Sequence, residues 1–175
     1  KPRPMEAHKG NTGHLLAVAG GTGTTGAAAM TAMSALRSGA GLVTLGVPET
    51  LNAVVEAQVA EAMTRPLPDT GAGALSDAAA GAILDMLPGR NCLALGPGIG
   101  TADTTRRLVE HLVSESPVPV VVDADGINNL AQNPEILKKR KAEVVLTPHP
   151  GEMARLAGTS AQAVQQDRIG CARHF

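Results

Sequence analysis

Val144-Val145-Leu146-Thr147-Pro148-His149-Pro150-Gly151-Glu152 is an apolar run that halts at a proline, meets a second proline two residues later, and continues into Met153-Ala154-Arg155-Leu156. The apolar run reads as a buried strand, and the segment from Gly151 as the opening of a helix. His149 therefore stands at the carboxyl end of a strand. Proline fixes its own φ and restricts the residue before it, so the backbone on both sides of His149 is stiff. In open α/β sheets, ligands bind at the carboxyl ends of the strands. Two readings of His149 stand side by side: a ligand contact held by two prolines, or an exposed ring in a strand-to-helix turn.

The same alternation of strand, turn and helix runs back through the chain. Residues 15–19 read as a first strand, 20–26 as a glycine loop, and 27–38 as a helix of small residues closed by Gly39 and Gly41. A second strand, 42–47, stops at Pro48 and leads into helical residues 49–57. Residues 65–73, with two prolines and two glycines, read as a loop. Ser76 can cap a helix reaching Leu87, with Asp77 in its first turn. Strands are predicted at 92–95, 118–122 and 143–147, with a helix over 101–114 between the first two and another begun near Ala161. The strands are continuous apolar runs rather than alternating ones, which is the mark of a parallel sheet covered on both faces. The expected fold class is α/β, in one domain of 175 residues.

Composition excludes several function classes. One Phe and no Trp or Tyr leave nothing to stack on bases, and a net charge of −1 without a basic patch argues against nucleic acid. No apolar run approaches membrane-spanning length, and no signal peptide opens the chain, so no membrane partner is expected. Cys92 and Cys171 fit no metal spacing and read as reduced thiols, which points to a cytoplasmic location. No metal-ligating cluster is expected. His8, His14, His111 and His174 read as surface residues, and Lys138–Lys141 as a solvated helix end.

The loops at the strand ends carry the chemistry. Gly21-Thr-Gly-Thr-Thr-Gly26 fits G-x-G-x-x-G between a strand and a helix, and Glu49 follows the next strand, where a dinucleotide fold keeps its ribose-binding acid. It is not a P-loop, because Ala27 stands where the lysine is required. Close backbone approach to a ligand and tight helix-on-sheet packing both explain the glycines. Gly96-Pro-Gly-Ile-Gly100 is a second such turn, whose glycines leave no side chain between backbone and ligand. Asp123 and Asp125 could hold a metal or orient a hydroxyl, or could cap and brace their loop, and bracing suits Asp125 better. Asn128 could donate to a ligand or cap a short helix.

A resemblance gathers these segments. His8-Lys-Gly10 with Gly13-His14, Ala19-Gly-Gly21, Thr25-Gly-Ala-Ala28, Leu36-Arg-Ser-Gly-Ala-Gly-Leu42, Leu95-Gly-Pro-Gly-Ile-Gly100, Val122-Asp-Ala-Asp125 with Asn128, and Leu146-Thr-Pro-His-Pro-Gly-Glu152 follow in order. Together they resemble the NAD(P)H-hydrate dehydratase family, the carbohydrate-kinase-like repair enzymes. The resemblance implies a ribokinase-like fold: a central, mostly parallel sheet with helices on both faces. It implies dehydration of the S epimer of NADH or NADPH hydrate, with ADP or ATP as phosphoryl donor, Mg2+ as the accompanying ion and a homo-oligomer. It assigns hydrate contacts to Ala27, Gly98 and His149, with Asn128 in the same cleft. Lys1-Pro-Arg-Pro4, within residues 1–8, resembles the linker that follows an epimerase domain in bifunctional members.

Family members carry a Gly-Thr-Gly-Asp helix start whose Asp is the expected general base, together with a nucleotide-phosphate loop; neither occurs in these 175 residues. Residues 1–175 are thus expected to form the larger, N-terminal part of one dehydratase domain, truncated at its C-terminus and inactive alone. Two other readings remain. One is a Rossmann-type NAD(P)-dependent oxidoreductase resting on Gly21–Gly26 and Glu49; the other is a non-catalytic fragment that assembles with partner chains.

Overall fold

A computed structural model describes residue 6 and residues 12–175. The linker reading at the N-terminus, His8 and the Lys9-Gly10 part of the resemblance lie outside the described residues, apart from residue 6. Six strands form one sheet: β1 (His14–Val18), β2 (Leu42–Pro48), β3 (Met63–Leu67), β4 (Cys92–Leu95), β5 (Val120–Val122) and β6 (Val144–Leu146). Their order across the sheet is β3-β2-β1-β4-β5-β6. Every described pairing is parallel. The α/β expectation holds.

Successive residues of a strand face opposite sides, and the core divides accordingly. Ala17, Ala19, Val43, Leu45 and Val47 pack on one side, under α1 (Thr25–Arg37) and α2 (Asn52–Glu56). Leu16, Val18, Leu93, Leu95, Val120 and Val122 pack on the other, under α3 (Ala80–Met86), α4 (Asp103–Glu115), α5 (Asp125–Leu130) and α6 (Pro150–Ala157). The helices change face where the strand order reverses, as right-handed crossovers require. α1 buries only Ala28 and Ala32. Its small residues let the helix lie close: a Cβ on Gly20 would come 2.9 Å from Ala28 Cβ. α4 buries Leu108, Val109, Leu112 and Val113, the stripe of an amphipathic helix, and turns the Arg106–Glu110 pair away from it. On the α1 side of β6, Val145 is 55% exposed.

The structure corrects three expectations. Residues 65–73 are not all loop, because Met63–Leu67 forms the outermost strand beside β2, with Pro66 opposite Val47. An edge strand needs hydrogen bonds on one side only, so a proline that would break a central strand fits there. The helix begun at Ala161 ends at Gln166, and α8 (Arg168–His174) follows α7 (Ala161–Gln166) as a separate helix. Asp167 breaks the run because its carboxylate caps α8, accepting the Gly170 N–H at 2.8 Å. His14 is half-buried rather than a surface residue. Its Nε2 lies 2.8 Å from Thr44 Oγ1, and burial, with Arg90 beside it, holds the imidazole below its ordinary pKa.

Past β5 the chain turns sharply. Ala124 has φ +52 and ψ −120, and the Gly126 N–H returns to the Asp123 carbonyl at 3.0 Å. That is a type II′ turn, whose first central position normally belongs to glycine. A side chain held there costs on the order of 1–3 kcal/mol. Ala124→Gly removes the strain and adds back some unfolded-state entropy, so a net gain of about 0.5–1 kcal/mol is expected. A rise in the urea midpoint at unchanged m-value would show it; a fall would mean that the turn stores no strain.

Candidate functional site

The strand order reverses between β1 and β4, the point at which the loops of an open α/β sheet ordinarily part to form a crevice at the carboxyl edge. In this chain they are bolted together. Gly20 N–H donates to the Pro97 carbonyl at 2.8 Å, and the Thr24 hydroxyl donates to the Gly98 carbonyl at 2.6 Å. A Cβ on Gly21 would stand 2.9 Å from Gly98 O. Gly98 has φ +72, and a Cβ there would meet Thr24 Cβ at 2.8 Å and Ala27 Cβ at 3.1 Å. Ala27 and Gly98 are therefore neighbours. The space a side chain at Gly98 would take is filled by the protein's own Thr24 and Ala27, so packing alone already requires glycine at this position.

A further loop closes over the first glycine turn. Thr22 donates through its N–H to Gly73 O at 3.1 Å and through its hydroxyl to Ala72 O at 2.6 Å. Asp69 ties that loop down, accepting from Thr50 N–H at 2.9 Å, from the Thr50 hydroxyl at 2.6 Å and from the Gly71 N–H. The Thr24 and Ala27 N–H groups also have intrachain acceptors. Within Gly21–Gly26 the Thr22 and Thr24 N–H groups are thereby closed to a diphosphate. Glu49 begins a short 3-10 turn after β2 and is exposed. Partial burial of Asp69 pushes its carboxyl up, but the Thr50 hydroxyl, the Thr50 N–H and the Gly71 N–H together hold it below the usual carboxylate range.

The loop after β4 is locked to the turn after β5 in the same way. Gly96 has φ +128, and a Cβ there would overlap the Asp123 carbonyl. Asp125 accepts the Gly100 N–H at 3.0 Å and the Asn128 Nδ2–H at 3.2 Å, the bracing role expected of it. Buried Asn129, which the sequence did not single out, donates to both Gly100 O and Asp125 O at 2.9 and 2.7 Å. Asn128 accepts from Arg155 Nε at 2.9 Å. Asp123 accepts the Thr147 hydroxyl at 2.9 Å, which joins the β5 turn to the end of β6. Among the described residues no three His, Cys, Asp or Glu side chains converge as a metal site.

His149 is the N-cap of α6. Its Nδ1 accepts the Gly151 and Glu152 N–H groups at 3.0 and 3.4 Å, and the Glu152 carboxylate accepts the His149 N–H at 2.9 Å, a reciprocal capping box. An accepting Nδ1 leaves the proton on Nε2, which lies 3.2 Å from the other oxygen of buried Glu152. The side chain is nevertheless 62% exposed. The two readings of His149 are thus compatible: the ring caps the helix and presents its open face at the carboxyl edge. β4 and β6 are two strand spacings apart, roughly 10 Å, a distance that a dinucleotide spans.

Sequence reasoning missed Thr22, Thr24, Asp69, Thr147 and Arg155. Thr22 and Thr24 stood inside the glycine motif, where attention falls on the glycines. Asp69 and Thr147 act through partners 19 and 24 residues away, and Arg155 through one 27 away. No local pattern encodes such pairs.

The sequence profile of the family described as NAD(P)H-hydrate dehydratase matches residues 15–175. The bifunctional NAD(P)H-hydrate repair enzyme Nnr of Moorella thermoacetica is 44% identical over 173 residues, 99% of this chain and 33% of its own length. The Gloeobacter violaceus protein of that name is 43% identical over 98% of this chain and 32% of its own length. The chain therefore spans about a third of the length of the curated relatives it matches. Among solved structures, the ADP/ATP-dependent NAD(P)H-hydrate dehydratase of Bacillus subtilis, co-crystallized with ATP/Mg2+, superposes with a TM-score of 0.75 at 28% identity, over 99% of this chain and 57% of that one. A ribokinase-like protein of Enterococcus faecalis has a TM-score of 0.80 at 21% identity, over 99% of this chain and 57% of that one, and shows the shared ribokinase-like fold.

A carboxylate held below its ordinary pKa stabilises the fold above the unfolded value and loses that contribution as pH falls through the folded one. Asp69 should therefore hold the loop over Gly21–Gly23 at neutral pH and release it below about pH 4. Asp69→Asn should flatten the acid limb of the stability profile and speed hydrogen exchange at the Thr22 and Gly71 amides. An unchanged acid limb together with unchanged exchange would remove Asp69 from this role.

Proposed function

This chain belongs to the NAD(P)H-hydrate dehydratase family, and we propose that it forms the hydrate-binding side of a dehydratase domain acting on the S epimer of NADH or NADPH hydrate, with ADP or ATP as phosphoryl donor. The observation that carries the reading is the carboxyl edge itself. Loops after β1, β4, β5 and β6 are hydrogen-bonded into one rim, and Ala27, Gly98, Asn128 and His149 all stand on it. The whole reaction is assigned to the longer protein that the curated relatives represent, since the chain spans about a third of their length.

The chemistry solves a leaving-group problem. Hydroxide leaves a ring carbon poorly, whereas phosphate leaves well. The ring hydroxyl gives up its proton and takes the terminal phosphoryl group of the nucleotide, whose shortened form is the leaving group. The carbon–oxygen bond then breaks as phosphate departs, a proton is lost to a base, and the ring double bond is restored. The residues described here would orient the hydrate and exclude water; the expected base is the Asp of the family's Gly-Thr-Gly-Asp segment. Mg2+ would arrive with the nucleotide phosphates rather than in a cage of this chain's own, because both Asp125 oxygens and one of Asp123 are already engaged. Free Cys92 and Cys171 support a cytoplasmic location, and a homo-oligomer is part of the proposal. A Rossmann oxidoreductase is disfavoured, because the family profile that matches residues 15–175 is that of the dehydratase.

His149 separates cap from contact. His149→Ala should lose both the cap, about 0.5–2 kcal/mol, and the ligand face. His149→Asn keeps a good capping residue without the imidazole. Thermal unfolding with and without the S-epimer hydrate reads both effects, since bound ligand raises the midpoint by mass action. The expected outcome is that Asn restores the ligand-free midpoint but not the hydrate-induced rise. Full recovery of that rise would make His149 a cap alone. A larger rise with intact NAD than with the hydrate would favour the oxidoreductase.

A further inference from the structure

The guanidinium of Arg155 is aimed and unpaired. Its Nε donates to Asn128 Oδ1 at 2.9 Å. Asn128 is itself oriented from the far side, because its Nδ2 donates to Asp125 Oδ1 at 3.2 Å while Asp125 Oδ2 takes the Gly100 N–H at 3.0 Å. A line of hydrogen bonds thus runs from the β4 loop through α5 to α6 and ends on one cation.

This line fixes Arg155 by Nε and leaves the N–H groups of both Nη atoms available. Nη1 lies beside Gly151, 3.9 Å from where a Cβ would stand. Among the described residues no carboxylate comes within ion-pair distance of Arg155, whereas Arg106, Arg107, Lys138 and Lys141 each have one. The acid nearest in sequence, Glu152, has both oxygens turned to His149. A cleft of about 470 Å3 opens at this point, lined by Thr101, Asn128, Ala131, Gln132 and Arg155. Its polar lining is a cation, a hydroxyl and two amides, with no acid.

A planar cation with two free N–H arms beside a hydroxyl and amides suits a phosphate oxygen pair. We propose that Arg155, held in place by Asn128, binds a phosphate group of the hydrated dinucleotide, and that Asn128 is a positioning residue rather than a ligand contact. This rests on the dehydratase reading above and names the part of the substrate recognised at one end of the rim. Both hydrates carry the diphosphate, and NADPH hydrate adds a monoester.

The test titrates the chain, Arg155→Gln, Arg155→Lys, Asn128→Ala and the Asn128→Ala/Arg155→Gln double variant with the S epimers of NADH hydrate and NADPH hydrate, at low and high salt. Arg155 is exposed, so its variants should fold, which unfolding midpoints check. Loss of a charge-assisted contact should weaken binding on the order of 10- to 100-fold in Arg155→Gln and flatten the salt dependence, with Arg155→Lys in between. Asn128→Ala should show a smaller loss with the same flattened salt dependence, and should add nothing in the Arg155→Gln background. Equal losses for the two hydrates assign the contact to the diphosphate; a loss confined to NADPH hydrate assigns it to the monoester. Unchanged affinity of Arg155→Gln for both hydrates overturns the inference and leaves the dehydratase reading standing. A full, additive Asn128 loss in the double variant overturns the positioning role. Failure of the unsubstituted chain to bind either hydrate overturns both readings.

Discussion

The close approach of Gly96 to the Asp123 carbonyl is the constraint on which the carboxyl edge depends. With φ +128 and no side chain, Gly96 lets the loop after β4 lie directly against the turn after β5. Gly126 answers from the other side, where a Cβ would come 2.6 Å from Val122 Cγ1 and 2.9 Å from Leu95 O. Only at this separation can Asp125 reach the Gly100 N–H and Asn129 bridge Gly100 and Asp125. The strained Ala124 belongs to the same arrangement, because a tight II′ turn keeps Asp123 facing Thr147 while Asp125 faces Gly100. The strain of on the order of 1–3 kcal/mol is offset by hydrogen bonds worth about 0.5–1.5 kcal/mol each.

A rim locked in this way recognises ligands differently from an open glycine loop. The N–H groups of Gly20, Thr22, Thr24, Gly96 and Gly100 already have acceptors within the protein. A ligand at this rim would then meet side chains that the rim holds in place. His149 is fixed by both ring nitrogens and Arg155 by its Nε, and each keeps an exposed part. Such groups lose little rotamer freedom on binding, so more of each contact remains as affinity.

Much of this was legible in the sequence, for identifiable reasons. β1, β2, β4 and β5 are apolar runs in the interior of a parallel sheet, where burial writes a pattern that needs no partner to be read; β6 is equally apolar but is an edge strand with Val145 exposed, so its expected burial was not met. β3 was not legible because Met63-Thr-Arg-Pro-Leu67 is half solvated, and its strand character comes from pairing with β2. The break at Asp167 required knowing that its side chain turns to the Gly170 N–H rather than to solvent. At the site, the strand ends and the segments around Ala27, Gly98 and His149 could be found, but not their partners. At Gly98 the sequence shows the missing side chain and not the Thr24 and Ala27 that occupy its space. Asn128 left two roles open for the same reason, since Arg155 lies on another element.

The strand order β3-β2-β1-β4-β5-β6 is that of a dinucleotide-binding fold, and Gly21–Gly26 sits where such a fold grips its diphosphate. Topology and motif together would assign an oxidoreductase, and both are satisfied here without it. Thr22 turns its N–H and hydroxyl to the loop around Gly73, and Thr24 turns its hydroxyl to Gly98 rather than capping α1. Gly20 and Gly21 then serve to bring two loops and a helix together over β1. A fold supplies a crevice, and what binds there depends on which donors the neighbouring loops leave free. In this chain one such donor is the Arg155 guanidinium, held by its Nε at the β6 end of the sheet with both Nη groups unpaired among the described residues.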